Sequence, residues 1–242
     1  MEASVMRGEL QGETAAMFDA YGRGYDAADP VVRGFERHLT RLDTLANGRR
    51  LLDVGIGTGL FLHLARTRGF EVTGVELCPD VAVKAQREFD LPVHVGEFTS
   101  AALPGGYDVI TMGDVLEHSR DPRAFLVHAR ELLAPGGVLF VAVPNHRSLP
   151  FMTVDLLGRI PGGGGFADRL YVPYHLTYFT PTSLGRLVAE VGFDVLHREQ
   201  ESPHAGRYRM NPLVRLGLVS VLAASRLVGL EARLALFVRR GP

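Results

Sequence analysis

Short apolar runs alternate with amphipathic stretches along most of the chain from residue 50 onward. Each run is short enough for a strand, and the stretch that follows it carries apolar residues at helical spacing. This alternation predicts repeated β-strand and α-helix units, which pack as a parallel sheet with helices on its faces. We therefore predict an α/β fold with a doubly wound, mostly parallel sheet whose last strand is antiparallel, and the seven strands lie at 51–54, 71–76, 91–95, 107–112, 137–143, 193–197 and 233–238.

Three segments lie outside the regular alternation. Residues 1–46 precede the first strand and are predicted to form a helical cap, whose second helix begins near Pro30. The α/β domain is predicted to comprise residues 47–242. The insertion after the fifth strand, 146–178, is predicted to be an irregular binding loop or lid because it is much longer than an ordinary connection. An apolar helix is predicted at 213–228, between the last two strands.

The composition excludes several classes of protein. The 242 residues suit one large core, and the formal net charge of -1 provides no basic surplus for a nucleic-acid partner. A single cysteine, Cys78, excludes an intramolecular disulfide, and the N-terminus lacks the apolar run of a secretory signal, so we expect a cytoplasmic protein. Arg215 and Arg226 interrupt the most apolar stretch, which argues against stable membrane insertion but leaves peripheral contact open.

A glycine-rich turn between a strand and a helix is the strongest chemical signal. The segment LLDVGIGTGLF, residues 51–61, places Gly55, Gly57 and Gly59 directly after an apolar strand. Glycines allow a tight turn and close approach of a ligand to the backbone, and the following helix offers unpaired N–H groups. Glu76 ends the next strand, where a carboxylate can accept both hydroxyls of a ribose.

Two residues of this motif distinguish between nucleoside ligands. A dinucleotide-binding turn requires glycine three positions after Gly57, but that position holds Leu60. Asp53 lies within the strand before the turn, where its negative charge would repel a pyrophosphate and attract an ammonium group. The charge pattern therefore favours a sulfonium nucleoside with a methionine moiety.

These residues resemble the class I S-adenosylmethionine-dependent methyltransferases, and the likeness extends from about Phe18 to Val238. The resemblance implies a Rossmann-like fold, S-adenosylmethionine as methyl donor, an acidic residue beside the adenine and a tyrosine from the preceding helix, either Tyr21 or Tyr25. We assign cofactor binding to Tyr25, Asp53, Gly55, Gly57, Gly59, Glu76, Leu77, Glu97, Phe98 and Asp114.

Further motifs resemble the ubiquinone-biosynthesis type of small-molecule methyltransferase. They are VLEH at 115–118, the DP that follows it, and the H-L-x-x-F-T pattern that begins at His175. The resemblance implies a small-molecule acceptor, with O-methylation in quinone-type or secondary metabolism as the favoured reaction. N- or C-methylation and a non-catalytic S-adenosylmethionine-binding module are the alternatives. The chain reads Met112-Gly113-Asp114-Val115 where enzymes that methylate adenine or glutamine carry an Asn/Asp-Pro-Pro-aromatic turn.

Candidate catalytic groups follow the fourth strand. If the segment is helical, Asp114, Glu117 and His118 share one face at positions i, i+3 and i+4. A neutral imidazole can take the proton of a hydroxyl acceptor, so His118 is the first candidate base. His175 is the second, because the resembled family places this segment over the acceptor. The three residues that follow the strand are also an alternative site for a divalent cation, which we do not favour.

The 213–228 helix is predicted to carry an apolar docking surface, because Arg215 and Arg226 project within about 20° of each other at 100° per residue. A second subunit and a membrane face are the candidate partners, and ordinary packing between the last two strands is the alternative. We expect a monomer or a homodimer.

Overall fold

A computed structural model of the protein describes residues 26–159, 171, 174–202 and 212–241. Its sheet has seven strands in the order β3-β2-β1-β4-β5-β7-β6, and the last strand is antiparallel to the others. The strands are β1 (Arg50–Val54), β2 (Glu71–Glu76), β3 (Val93–Val95), β4 (Tyr107–Gly113), β5 (Leu133–Pro144), β6 (Phe193–Glu201) and β7 (Arg233–Arg240). The α/β, Rossmann-like, mostly parallel sheet predicted from the sequence is confirmed.

Proline and polar caps set the start of most helices. The Asp29 side chain accepts a hydrogen bond from the N–H of Val31, and Thr180 and Ser183 form a reciprocal capping box. The helices of the described residues are α1 (Pro30–Leu45), α2 (Leu60–Thr67), α3 (Pro79–Phe89), α4 (Pro122–Leu132), α5 (Leu149–Gly158), α6 (Pro181–Glu190) and α7 (Pro212–Val228). None of them is long and apolar enough to cross a membrane.

The chain divides into two compact units. The first comprises Met1–Gly113, Ala124–Phe140 and Arg239–Pro242, and the second comprises Asp114–Arg123 and Val141–Val238. In the first unit β1 lies between β2 and β4, all parallel, so that its side chains are buried on both faces. The glycine turn and Glu76 belong to this unit, whereas the groups that follow β4 belong to the second.

Several elements differ from the sequence prediction. β5 begins earlier than predicted, at Leu133, and β3 is limited to three residues. The segment that we predicted to be irregular contains α5, because Ser148 caps its start and its apolar side chains Phe151 and Val154 are buried. The second helix of the predicted cap is present as α1, and the first lies outside the described residues.

Candidate active site

The turn between β1 and α2 leaves backbone open to a ligand. Gly55, Gly57 and Gly59 all have positive φ, a conformation that side chains with a Cβ rarely adopt. At Gly59 a Cβ would come within 2.9 Å of the Ala85 Cβ, so glycine is needed there for packing. At Gly57 a Cβ would meet no atom within 4 Å among the described residues, so the turn faces open space at the start of α2. This is the geometry that a ligand needs to approach backbone N–H groups.

Glu76 lies beside this turn, as the sequence predicted. Its carboxylate accepts hydrogen bonds from the N–H of Cys78 at 2.9 Å and from the N–H of Gly57 at 3.4 Å. Burial raises the pKa of Glu76, and these backbone hydrogen bonds oppose the rise. The two contacts fix the carboxylate at the tip of β2, where it can accept the hydroxyls of a ribose.

Asp53 is a buried carboxylate with one strong hydrogen bond. Its side chain is 5% exposed, and the Thr111 hydroxyl donates to Oδ1 at 2.6 Å. Burial raises the pKa of Asp53 to about 7, with the charge of Glu76 adding to the rise and the Thr111 hydrogen bond opposing it. A bound ammonium group would favour the ionised form, because an opposite charge nearby lowers the pKa of a carboxyl. Asp53 therefore suits the ammonium of a methionine moiety.

The residues assigned to the adenine differ in their surroundings. Leu77 is 65% exposed directly after Glu76, so its apolar side chain is free to cover a planar base. Glu97 is exposed at the start of a single 3-10 turn, Phe98–Ser100. Phe98 is buried and its ring packs against Phe125 and His128, which gives it a role in the core of the first unit. Its contact with adenine stays a prediction, and Tyr21 and Tyr25 lie outside the described residues.

The segment after β4 is not an α-helix, so the condition for a shared helical face of Asp114, Glu117 and His118 is not met. Asp114 has a positive φ of 54°, and only the 3-10 turn Leu116–His118 follows it. The Asp114 carboxylate instead forms an ion pair of 2.9 Å with Arg233, whose guanidinium also lies 3.1 Å from Glu201. This ion pair holds the Asp114 side chain against Arg233, and the assignment of Asp114 to cofactor binding stays a prediction.

His175 takes the place of Asp114 beside the other two residues. One ligand atom each of Glu117, His118 and His175 lie within 4.8 Å of one another. Backbone contacts build this cluster, because the N–H groups of Leu176 and Thr177 both donate to the Glu117 carbonyl oxygen. The ring of His118 lies 4.8 Å from the ring of His175, centre to centre. The two candidate bases are therefore neighbours within the second unit.

The position of one proton in this cluster follows from a hydrogen bond. Nδ1 of His118 lies 3.1 Å from the backbone carbonyl oxygen of Tyr174. A carbonyl oxygen only accepts, so Nδ1 carries the proton and Nε2 of the neutral ring keeps its lone pair. Nε2 lies 4.0 Å from Oε1 of Glu117. His118 thus presents a proton acceptor next to a carboxyl group.

Glu117 is the most unusual member of the cluster. Its side chain is 1% exposed, and neither carboxyl oxygen has a hydrogen-bond partner among the residues that the structure describes. Burial raises the pKa of Glu117 well above its ordinary value, the charge of Asp114 raises it further, and Arg233 opposes the rise. A buried carboxyl group without a hydrogen-bond partner destabilises the fold. A cation or a hydrogen-bond donor that binds beside it would offset this cost, so such a group indicates a binding site.

Sequence reasoning missed two features of this unit. Arg233 and Glu201 come from β7 and β6, far along the chain from Asp114, and no local pattern links them. Aromatic rings also lie next to the cluster. The ring centre of Tyr178 is 6.0 Å from that of His175 and 5.2 Å from that of His146. The density of Tyr, His and Phe between 146 and 179 was the available signal.

Comparison with known proteins identifies the family of the chain. A family model described as "Methyltransferase domain" matches residues 25–198. The chain is 32% identical over 141 residues to a protein of Xanthomonas campestris pv. campestris named "Ubiquinone biosynthesis O-methyltransferase", which covers 53% of this chain and 59% of that protein. A protein of the same name from Methylococcus capsulatus is 29% identical over 212 residues, covering 81% of this chain and 84% of that protein. The chain thus spans less than two thirds of the length of the Xanthomonas relative.

A solved structure shows the same fold. The SAM-dependent methyltransferase from Archaeoglobus fulgidus has a TM-score of 0.60 at 19% identity and covers 93% of this chain and 99% of that chain. Because the family model matches residues 25–198, which is most of the chain, this protein belongs to the methyltransferase-domain family, and its strand order and structural neighbours give it the fold of the class I S-adenosylmethionine-dependent methyltransferases.

Proposed function

We propose that this methyltransferase transfers a methyl group to a hydroxyl oxygen of a small organic acceptor in quinone-type or secondary metabolism. The cluster of Glu117, His118 and His175 carries the proposal, because a hydroxyl acceptor must lose its proton and the cluster offers a group that can take it. The names of the relatives from Xanthomonas and Methylococcus support oxygen as the methylated atom.

The cofactor, when bound, supplies a methyl group on a positively charged sulfur. Residues of the first unit bind it in this proposal: Asp53 pairs with the ammonium, Glu76 accepts from the ribose hydroxyls, and the N–H groups of the glycine turn face it. Leu77 covers the adenine. These contacts orient the methyl group, and orientation supplies much of the catalysis in a transfer of this kind.

His118 acts as the general base. Its Nε2 accepts the proton of the acceptor hydroxyl while the Tyr174 carbonyl holds Nδ1–H, so the ring becomes a cation. Glu117 lies 4.0 Å from Nε2, and the positive charge of the ring favours ionisation of this buried carboxyl group, which in turn stabilises the cation. His175 is the second candidate, because its ring is adjacent to that of His118 and it belongs to the predicted lid segment, 146–178.

A divalent cation is the second candidate for activating the hydroxyl. One carboxyl and two imidazole groups form a mixed oxygen and nitrogen donor set of the kind that binds divalent transition metals, and the unpartnered oxygens of Glu117 fit such a role. The metal would lower the pKa of the acceptor hydroxyl. This donor set contains His175 in place of the Asp114 suggested by sequence spacing, because Asp114 pairs with Arg233.

The direct test is a panel of acceptors with methyl-labelled S-adenosylmethionine. Phenols, aliphatic alcohols and amines of similar size are incubated separately with the full chain, and the labelled products are identified by mass spectrometry. Labelled O-methyl ethers support the proposal. Products methylated only on nitrogen or carbon contradict it, and cofactor binding without any turnover across the panel favours a non-catalytic binding module.

A further inference from the structure

One narrow face of helix α7 is buried, and the face that it presents to solvent is apolar. Leu222 and Ser225 are buried, which defines the side that packs on the protein. Leu216 is 64% exposed and Leu227 is 88% exposed, and Val219 and Ala223 are exposed between them. At 100° per residue these four side chains project within an arc of about 80°, away from the buried pair. We call them the α7 stripe.

The charges on α7 have one sign. Arg215 and Arg226 are exposed and project together at one border of the α7 stripe, and the sequence of the helix contains no acidic residue. Arg226 lies 3.6 Å from Glu231, which follows the helix. A helix that presents apolar side chains to solvent with basic side chains along the edge has the pattern of a segment that lies in a lipid interface.

A neighbouring helix has the same character. Helix α5 contacts α7, and its exposed side chains Met152 and Leu156 are one turn apart. Arg147 and Arg159 flank this helix and are exposed. The one acidic residue of α5, Asp155, accepts a hydrogen bond from the Tyr171 hydroxyl at 2.6 Å. Exposed apolar and basic side chains thus extend over two helices that touch each other.

We propose that α7, with α5, docks the protein on the surface of a bilayer that contains anionic lipids. The basic side chains complement negative headgroups, and the α7 stripe inserts among them without a membrane span. A second copy of the chain fits this surface less well. A symmetric contact between two α7 helices would bring their arginines together, and the helix has no acidic residue to balance them. The proposal concerns binding alone and does not depend on the methyl acceptor.

The test is co-sedimentation of the full chain with vesicles, in the absence of any acceptor. We expect binding to vesicles of phosphatidylcholine with phosphatidylglycerol and much weaker binding to phosphatidylcholine alone. The double variant Leu216→Ser/Leu227→Ser should lose at least about tenfold in affinity, because two leucines no longer enter the interface. The matched control Val83→Ser replaces an exposed apolar residue on α3 and should bind as the unchanged protein does.

A charge variant separates the two parts of the surface. Arg215→Glu should weaken binding to anionic vesicles by about fivefold or more, and the difference should shrink at high salt. Circular dichroism and S-adenosylmethionine affinity establish that each variant is folded. Absence of vesicle binding by the unchanged protein overturns the proposal, as does equal binding to both vesicle types. A dimer in analytical ultracentrifugation that the double leucine variant abolishes would assign the surface to a second copy and also overturn it.

Discussion

The hydroxyl of Thr111 on β4 donates a 2.6 Å hydrogen bond to the buried carboxylate of Asp53 on β1. The two strands are parallel neighbours, with Asp53 directly opposite Thr111 in the register. This contact stabilises the ionised form of Asp53 against the burial that raises its pKa to about 7. A carboxyl group that titrates near neutrality makes the binding of a cationic ligand dependent on pH.

Cofactor affinity should therefore rise with pH across neutrality. Only ionised Asp53 attracts the ammonium, so S-adenosylmethionine should bind about tenfold more tightly at pH 8 than at pH 6. Asp53→Asn should weaken binding and remove most of this pH dependence. Calorimetry at both pH values makes the comparison. Equal slopes of affinity against pH in the variant and the unchanged protein would show that another group is responsible.

The same pKa shift affects the stability of the ligand-free protein. The folded-state pKa of Asp53 is raised from 3.8 to about 7, so the folded protein holds this proton more tightly than the unfolded chain does. Its contribution to the free energy of unfolding is complete below about pH 4 and is lost as the pH rises to about 7. Asp53→Asn keeps a neutral side chain throughout. Urea unfolding should show the variant gaining stability over the unchanged protein between pH 5 and pH 8, and a constant difference would contradict the assignment.

Glu76 should be essential for cofactor affinity. Glu76→Ala removes the acceptor of the ribose hydroxyls together with the contact that holds Gly57, so affinity should fall by roughly tens of fold. Glu71→Ala is the matched control, because Glu71 begins the same strand and is exposed. An affinity for S-adenosylmethionine that is unchanged in folded Glu76→Ala would reject this site.

Arg233 should contribute to folding through the second unit. Arg233→Gln leaves Asp114 and Glu201 without their cationic partner and should reduce the free energy of unfolding by about 1–3 kcal/mol. Arg215→Gln, an exposed arginine on α7, should change it by less than about 0.5 kcal/mol. Thermal and urea unfolding of both variants give the comparison. Equal effects of the two substitutions on the free energy of unfolding would show that these ion pairs do not stabilise the fold.

Chelation distinguishes the two ways of activating a hydroxyl. If His118 is a metal-free base, activity should survive treatment with EDTA and dialysis. If Glu117, His118 and His175 bind a divalent cation, activity should fall on chelation and return when Mg²⁺ or a transition metal is added. Glu117→Gln keeps the size of the side chain and should abolish metal binding measured by calorimetry. A chelated enzyme with full activity excludes the metal alternative.

The sheet could be predicted from the sequence because the spacing of apolar residues along the chain distinguishes its strands from the helices between them. The core of β1 and the turn from Gly55 to Gly59 could be located, since both depend on local chemistry. Helix α5 was missed because the segment was interpreted from its length, although Ser148 and the proline that follows are residue types that begin helices. The α-helix considered after β4 does not form, because the positive φ of Asp114 turns the chain.

The arrangement of the second unit depends on long-range contacts, which a single sequence does not reveal. Arg233 reaches Asp114 across 119 positions of the chain, and no local pattern indicates this ion pair. His175 could be named as a candidate from its motif, but its contact with His118 depends on the fold. The sequence therefore indicated which residues are candidates for the site, but it did not indicate which residues contact one another.

Removal of the His118 imidazole tests the central claim most directly. Initial rates of methyl transfer to a hydroxyl acceptor found in the panel are measured for the unchanged protein, for His118→Ala and for the control His197→Ala, whose ring pairs with Glu199. Affinity for S-adenosylmethionine is measured in parallel. We predict that His118→Ala loses about 10²-fold or more in kcat with cofactor affinity unchanged, because a general base contributes that much. Full activity in folded His118→Ala would contradict base catalysis by this residue.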